Sequence, residues 1–419
     1  MFGKYTLGLD VILYIYTSGT TGLPKAAKIA TSRFWYMATA PHMLPGLTSD
    51  DVVYVSLPIY HSNGGVIGVG QALLRGCTVV FRKKFSASRF WDDCITHNCT
   101  AFLYIGEICR YLLAQPKRDS ESQHHIKFAI GNGLREKIWP DFQNRFNIKH
   151  IVEFYGATEG NCNAINYCDR VGSVGFTSRI IPQAYPIFLI KVDETTGQPL
   201  RDESTGLCLV CEPGEPGELI GRIKQNNHLR RFDGYATKAE TEKKIVKDVF
   251  FKGDMYFRSG DILEMDELGF FFFKDRRGDT FRWRGENVST QEVESMVSSV
   301  ASLKDCAVYG VEVPGVEGRA GMAAIVDPEH ELDISNGFAA ELSKKLPSYG
   351  VPVFLRLMDK IPATGTYKFV KGDLQKQAFN PDSVGKDPLY FLDSTKQPRC
   401  YTPLTRESYE DIISGKIRL

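Results

Sequence analysis

Short runs of strand-forming residues, separated by helix-like stretches, constrain this chain more than any other feature. Such runs stand at residues 11–16, 52–57, 78–81, 100–105 and 126–130, with helix-like segments at 87–96 and 135–146. Alternation of this kind predicts a largely parallel sheet with helices on its faces. From 172 to 273 the chain turns β-rich, with punctuation such as Pro213-Gly214-Glu215-Pro216-Gly217. Hairpins or a small barrel are expected there. A length of 419 residues exceeds one ordinary core. The spacing places a large domain over 1–273 and a smaller α+β domain over 274–419. In the latter, Ser289-Thr290-Gln291-Glu292 fits a capping box, and Val293, Met296, Val297 and Val300 form one apolar helical stripe. Strand-like runs follow at 307–313, 322–326 and 354–358.

Several function classes find little support. Formal net charge is +1, so composition makes no electrostatic case for nucleic acid. Ten scattered cysteines lack the spacing of a disulfide framework and read as reduced thiols. Cys208 and Cys211 form a lone C-x-x-C in a strand-like run, which reads as structure rather than a metal site. His124-His125 has no partner at ligand spacing. No apolar run is long enough for a membrane-spanning helix, and the N-terminus shows no signal-peptide pattern.

The chemistry-bearing residues fall in five motifs. Thr17-Ser18-Gly19-Thr20-Thr21-Gly22-Leu23-Pro24-Lys25 follows a strand. Its glycines let backbone N–H groups approach phosphate oxygens, its hydroxyls add donors, and Lys25 adds charge. The spacing is not that of a Walker A loop. Tyr155-Gly156-Ala157-Thr158-Glu159-Gly160 also follows a strand, and pairs an aromatic ring with a carboxylate able to share Mg²⁺ with phosphate. Arg258-Ser259-Gly260-Asp261 offers a carboxylate on a turn, which alone reads more readily as a turn cap. Asp275-Arg276-Arg277-Gly278-Asp279 marks the domain junction, and Thr364-Gly365-Thr366-Tyr367-Lys368 sets a lysine on a turn.

In this order, the set resembles the adenylate-forming (AMP-binding) superfamily. Leu57-Pro58-Ile59-Tyr60-His61-Ser62, the runs 82–93 and 229–235, Gly131-Asn132-Gly133-Leu134-Arg135, Glu153-Phe154, and the tail around Asp387-Pro388-Leu389-Tyr390 narrow the resemblance. They are similar to fatty acid transport proteins, the very-long-chain acyl-CoA synthetases, and most to their type 1 and type 4 branch. The resemblance implies an adenylate-forming fold: a large domain of mainly parallel sheets and helices plus a β-rich subdomain, then a small α+β domain that rotates between two half-reactions. Members of the family carry a long segment, with a membrane anchor, ahead of the phosphate loop. Here that loop starts at Thr17, so the expectation is a large domain lacking its upstream half.

The implied activity is ATP-dependent ligation of a long-chain or very-long-chain fatty acid to coenzyme A, through an acyl-adenylate. The non-enzymatic alternative is an inactive short form acting in transport or scaffolding. By resemblance, Thr17, Ser18, Gly19, Thr20, Thr21, Gly22 and Lys25 hold phosphates. Glu159, with Thr17, binds Mg²⁺, and Thr158 faces the phosphates. Gly131, Asn132, Gly133, Leu134 and Tyr155 frame adenine, Gly156 and Ala157 complete the nucleotide-binding set, and Asp261 and Arg276 hold the ribose. Lys368 serves adenylation, and Gly278 is the hinge. His61 lines the acyl pocket or is a buried structural histidine. Membrane association at the cytosolic face of the endoplasmic reticulum or plasma membrane, and a homodimer, complete what the resemblance suggests.

Overall fold

The computed structural model describes residues 10–419 except 18–24, 44–45, 194–195, 277–279, 335–336, 366 and 397–398; of the side chains of 41–43, 276 and 287 nothing is said. The chain divides into two compact units, Met1–Phe273 and Lys274–Leu419.

In the first unit, β1 (Val11–Thr17) pairs antiparallel with β2 (Lys25–Ala30) as a two-stranded sheet. The run at 11–16 therefore stands apart from the parallel sheet. That sheet contains β3 (Val52–Val55), β4 (Thr78–Phe81), β5 (Ala101–Ile105), β6 (Phe128–Asn132), β7 (His150–Tyr155) and β8 (Ala164–Asn166), in the order β4-β3-β5-β6-β7-β8. All its pairings are parallel except the last. Parallel strands need crossovers, and the helices Phe90–Thr96 and Trp139–Arg145 supply an aromatic layer against the sheet. Phe90 lies edge-on to Phe102 at 5.1 Å, and Trp91 meets Phe146 at 4.6 Å. Each such fully buried side chain contributes about 1.5–3 kcal/mol. His124 stacks on Trp91 at 4.7 Å, and its Nε2 lies 2.9 Å from the Phe146 carbonyl oxygen, so it belongs to this core.

The β-rich stretch forms a second sheet. It comprises β9 (Ser173–Phe176), β10 (Ile187–Ile190), β11 (Pro216–Arg222), β12 (Ile245–Lys247), β13 (Met255–Met265) and β14 (Phe270–Arg276). The order is β10-β11-β13-β14-β9, with β12 beside β13. Inside it, Glu218 is fully buried and paired with Arg258, whose Nε lies 3.0 Å from Oε2. The same carboxylate accepts from Gly260 N–H at 3.0 Å, and Arg258 also donates to the Gly197 carbonyl at 2.7 Å. This ion pair fixes the irregular stretch of β13 around Gly260, at φ 82°, so Asp261 is presented from within a strand and not from the expected turn.

The second unit is a five-stranded sheet in chain order: Cys306–Val311, Ala320–Val326, Phe354–Met358, Leu389–Asp393 and Cys400–Pro403. Only the pairing of Ala320–Val326 with Phe354–Met358 is parallel. The last two strands were not foreseen in the sequence. Helix Thr290–Val300 begins where expected: Ser289 Oγ accepts from Glu292 N–H at 3.2 Å, the Ser289 half of a capping box. Val293, Met296 and Val297 are buried against the sheet. Among the described residues, no helix is long and apolar enough to cross a membrane.

Arg258→Leu should destabilise the first unit by about 3–5 kcal/mol, because it strands a buried carboxylate. The double variant Glu218→Leu/Arg258→Leu should lose far less than the two single losses added. Urea unfolding of the four proteins, read as a double-mutant cycle, checks this.

Candidate active site

The rim of the parallel sheet is organised by what a glycine omits. Tyr104 on β5, Gly131 on β6 and Glu153 on β7 lie side by side in register. A Cβ on Gly131 would stand 2.6 Å from the Tyr104 ring. Without it, the Tyr104 hydroxyl reaches across and donates to Glu153 Oε2. The other oxygen of Glu153 accepts from the N–H groups of Gly133 and, at 3.2 Å, Leu134. Glu153 thus holds the turn Asn132-Gly133-Leu134, where Gly133 takes φ 81°. Burial pushes the Glu153 carboxyl up to about 8, although the hydrogen bonds from Tyr104, Gly133 and Leu134 pull the other way. Asn63 adds a further link, from Nδ2 to the Tyr104 carbonyl at 3.2 Å and to Asn132 Oδ1 at 3.4 Å.

Tyr155 ends β7. Its hydroxyl donates to Asp261 Oδ2 at 2.6 Å, joining residues 106 positions apart. Burial, then the charge of Asp261, raises the Tyr155 phenol far above its ordinary value. The Asp261 N–H donates to Ser259 Oγ at 3.1 Å. The two expected nucleotide residues, Tyr155 and Asp261, are therefore in direct contact.

Glu159, also buried, accepts from the Tyr235 hydroxyl at 2.6 Å. Burial and then Glu159 raise the Tyr235 phenol well above its usual value. Residues 234–236 lie along β2: Lys28 N–H donates to the Gly234 carbonyl, and Ala236 N–H to that of Ala26. Lys25 Nζ sits 5.8 Å from the Tyr235 ring centroid and pairs with Glu240. Hydrogen bonds from Lys243 and Lys25 hold the Glu240 carboxyl down at about 2. The Thr17 hydroxyl donates to the Lys25 carbonyl at 3.3 Å. Thr158 Oγ1 lies 3.3 Å from Ser62 Oγ. Arg33, on helix Thr31–Met43, donates to the carbonyls of Gly160 at 2.5 Å and Thr158 at 3.4 Å, which shapes the backbone of this motif.

His61 is half-buried, tilted against Tyr60 at 4.6 Å, and starts the π-helical turn Ser62–Gly68. Gly64 and Gly65 let that turn lie on residues 57–59: a Cβ would meet the Pro58 oxygen at 2.5 Å and the Ile59 oxygen at 2.0 Å. Ser18, Gly19, Thr20, Thr21, Gly22 and Gly278 lie outside the described residues, as does the side chain of Arg276. Lys368 belongs to the second unit, exposed on a small hairpin. Among the described residues no three His, Cys, Asp or Glu side chains converge as a metal cage. A cation shared between one carboxylate and phosphate oxygens does not need one.

Arg33, Asn63, Glu153 and Tyr235 had no assigned role in the sequence. Glu153 and Tyr235 stand within runs that carry the family resemblance, which was the one available signal.

Comparison with known proteins agrees with this architecture. Residues 8–226 match the AMP-binding enzyme family, and residues 292–368 match the AMP-binding enzyme C-terminal domain. The chain belongs to the AMP-binding enzymes. Within that class it is 55% identical to long-chain fatty acid transport protein 1 of Mus musculus, over 98% of this chain and 63% of that protein. It is 46% identical to long-chain fatty acid transport protein 2 of Rattus norvegicus, over 97% of this chain and 64% of that one. The chain thus spans just under two thirds of these relatives. The fold resembles that of ATP-bound MatB from Rhodopseudomonas palustris, with TM-score 0.68 and 22% identity over 88% of this chain and 68% of the other.

Glu153→Ala should orphan two backbone N–H groups at about 1–3 kcal/mol each and loosen the 131–134 turn. Glu153→Gln should keep the turn. The folded Glu153 carboxyl lies near 8 against an ordinary 4.5, so between these values the folded state holds one proton more than the unfolded. Its contribution is full below pH 4.5 and fades as pH rises towards 8. Unfolding midpoints across this range should show that decline in the native protein relative to Glu153→Gln.

Proposed function

We propose that the protein activates a long-chain or very-long-chain fatty acid with ATP, as an acyl-adenylate, and transfers the acyl group to coenzyme A. The observation that carries this reading is the contact between motifs far apart in sequence: Tyr155 with Asp261, and Glu159 with Tyr235 and, through it, Lys25. Attack of a carboxylate on the α-phosphorus brings two anions together, so positioning and charge neutralisation are the main tasks. In this reading Asp261 takes the ribose hydroxyls, with its carboxylate already oriented by Tyr155. The turn Gly131–Leu134, fixed by Glu153, and Tyr155 frame the adenine. Glu159 and Thr17 bind Mg²⁺, which neutralises phosphate charge. Lys25 leaves Glu240 for phosphate. Lys368 supplies the cation for adenylation, and the second unit, turning at Gly278, then presents the site to the thiol of coenzyme A. His61 lines the acyl pocket. The similarity to fatty acid transport proteins supports a fatty acid over other acids, and also supports membrane association.

ATP-dependent pyrophosphate release by the purified protein, with oleate against acetate, tests the reading. A preference for acetate would contradict it. Fatty acid binding without pyrophosphate release would favour the transport or scaffold alternative. Lys368→Ala should slow acyl-adenylate formation by about 10²- to 10³-fold, roughly 3–4 kcal/mol of barrier. The same variant, given preformed acyl-adenylate and coenzyme A, should make the thioester at near the native rate.

A further inference from the structure

Lys368 sits on a small hairpin of the second unit. Thr364 N–H donates to the Lys368 carbonyl at 2.9 Å, Lys368 N–H to Thr364 Oγ1 at 3.2 Å, and Val370 N–H to the Pro362 carbonyl at 2.8 Å. Ala363 and Phe369 form an isolated bridge. Gly365, Lys368 and Val370 are exposed, and the hairpin's apolar contact with the core comes from partly buried Phe369.

Directly after it comes Lys371, whose ammonium turns inwards. It lies 2.7 Å from Glu294 Oε1 and 3.2 Å from Thr290 Oγ1. Both partners stand on helix Thr290–Val300, one turn apart. The pair is well shielded, with side chains 16% and 10% exposed. Glu294 Oε1 also accepts from Val308 N–H at 2.9 Å, and Thr290 N–H donates to Asp275 Oδ2 at 3.1 Å. One carboxylate therefore joins the hairpin exit, the helix and the edge strand Cys306–Val311, and the same helical turn holds the segment just before Arg276.

We propose that Lys371 is a positioning residue for adenylation: its ion pair with Glu294 sets the direction in which the hairpin carries Lys368. This rests on the role given to Lys368 above. Only Phe369 and Val370 stand between the two lysines, so a small rotation at Lys371 moves the Lys368 ammonium by a larger distance. Lysine is suited to this place because a compact ammonium reaches the carboxylate and the hydroxyl together, whereas a planar guanidinium engages them differently.

The test uses Lys371→Met, which keeps the stem and removes the charge, with Lys371→Arg and Glu294→Gln alongside. Two readouts are taken on the whole chain. The first is amide exchange at Thr364 and Val370. Lys371→Met should raise it, Lys371→Arg should restore part of the protection, and the strand Ala320–Val326 should not change. The second is the pair of half-reactions. Adenylation should fall roughly 10- to 100-fold in Lys371→Met and Glu294→Gln, while thioester formation from preformed acyl-adenylate stays near native. Unchanged exchange and unchanged adenylation in Lys371→Met would overturn the proposal, as would equal loss of both half-reactions, which marks general destabilisation. A native protein that forms no acyl-adenylate would sink the functional reading instead. Loosened hairpin amides would still establish the tether in that case.

Discussion

Two N–H groups and one phenol converge on the carboxylate of Glu153, and the rim of the parallel sheet depends on that convergence. Parallel strands all end on the same side, so the turns leaving β5, β6 and β7 crowd together. Backbone groups there have lost their ladder partners and must find others. Glu153 answers for the turn after β6, and Tyr104 steadies Glu153 across a glycine. Because Gly131 has no side chain, the strand between them is the gap through which they meet. Any larger residue at that position would separate the pair and release the turn.

Elsewhere the molecule uses the same device. Glu218 holds Gly260 N–H, and Glu294 holds Val308 N–H, each with a cation of its own, Arg258 or Lys371. An acid buried among backbone donors fixes a loop more sharply than apolar packing, since removing it leaves several donors unsatisfied at once. Glu153 fixes the turn that ends at Leu134, Glu218 fixes the stretch of strand β13 just before Asp261, and Glu294 holds the edge strand Cys306–Val311 and, through Lys371, the exit of the Lys368 hairpin.

Much of this was legible in the sequence. The strand runs at 52–57, 100–105 and 126–130 found their sheet because buried strands are largely continuous apolar runs; 78–81 joined them as the half-exposed edge strand, and periodicity identified the stripe on helix Thr290–Val300. The run at 11–16 has the same composition but pairs with β2, a choice made by tertiary contacts that composition does not encode. Leu389–Asp393 and Cys400–Pro403 drew no strand assignment from the sequence; Pro388 directly precedes the first, and Pro403 ends the second, an edge strand where proline is tolerated. Tyr155, Glu159 and Asp261 announced themselves by motif. Glu153, Tyr235 and Arg33 did not, because what they do depends on partners distant in the chain. Arg33 is 127 residues from Gly160, whose carbonyl it holds.

The phenols of Tyr104, Tyr155 and Tyr235 each lie buried and bonded to a carboxylate, which keeps their protons in place far into alkaline solution. Optically, these rings are silent reporters. Tyrosinate absorbs at longer wavelength than tyrosine, and these three can contribute to that band only after the first unit opens. In an alkaline titration their absorbance would therefore arrive together with loss of structure, as one cooperative step rather than three separate ionisations.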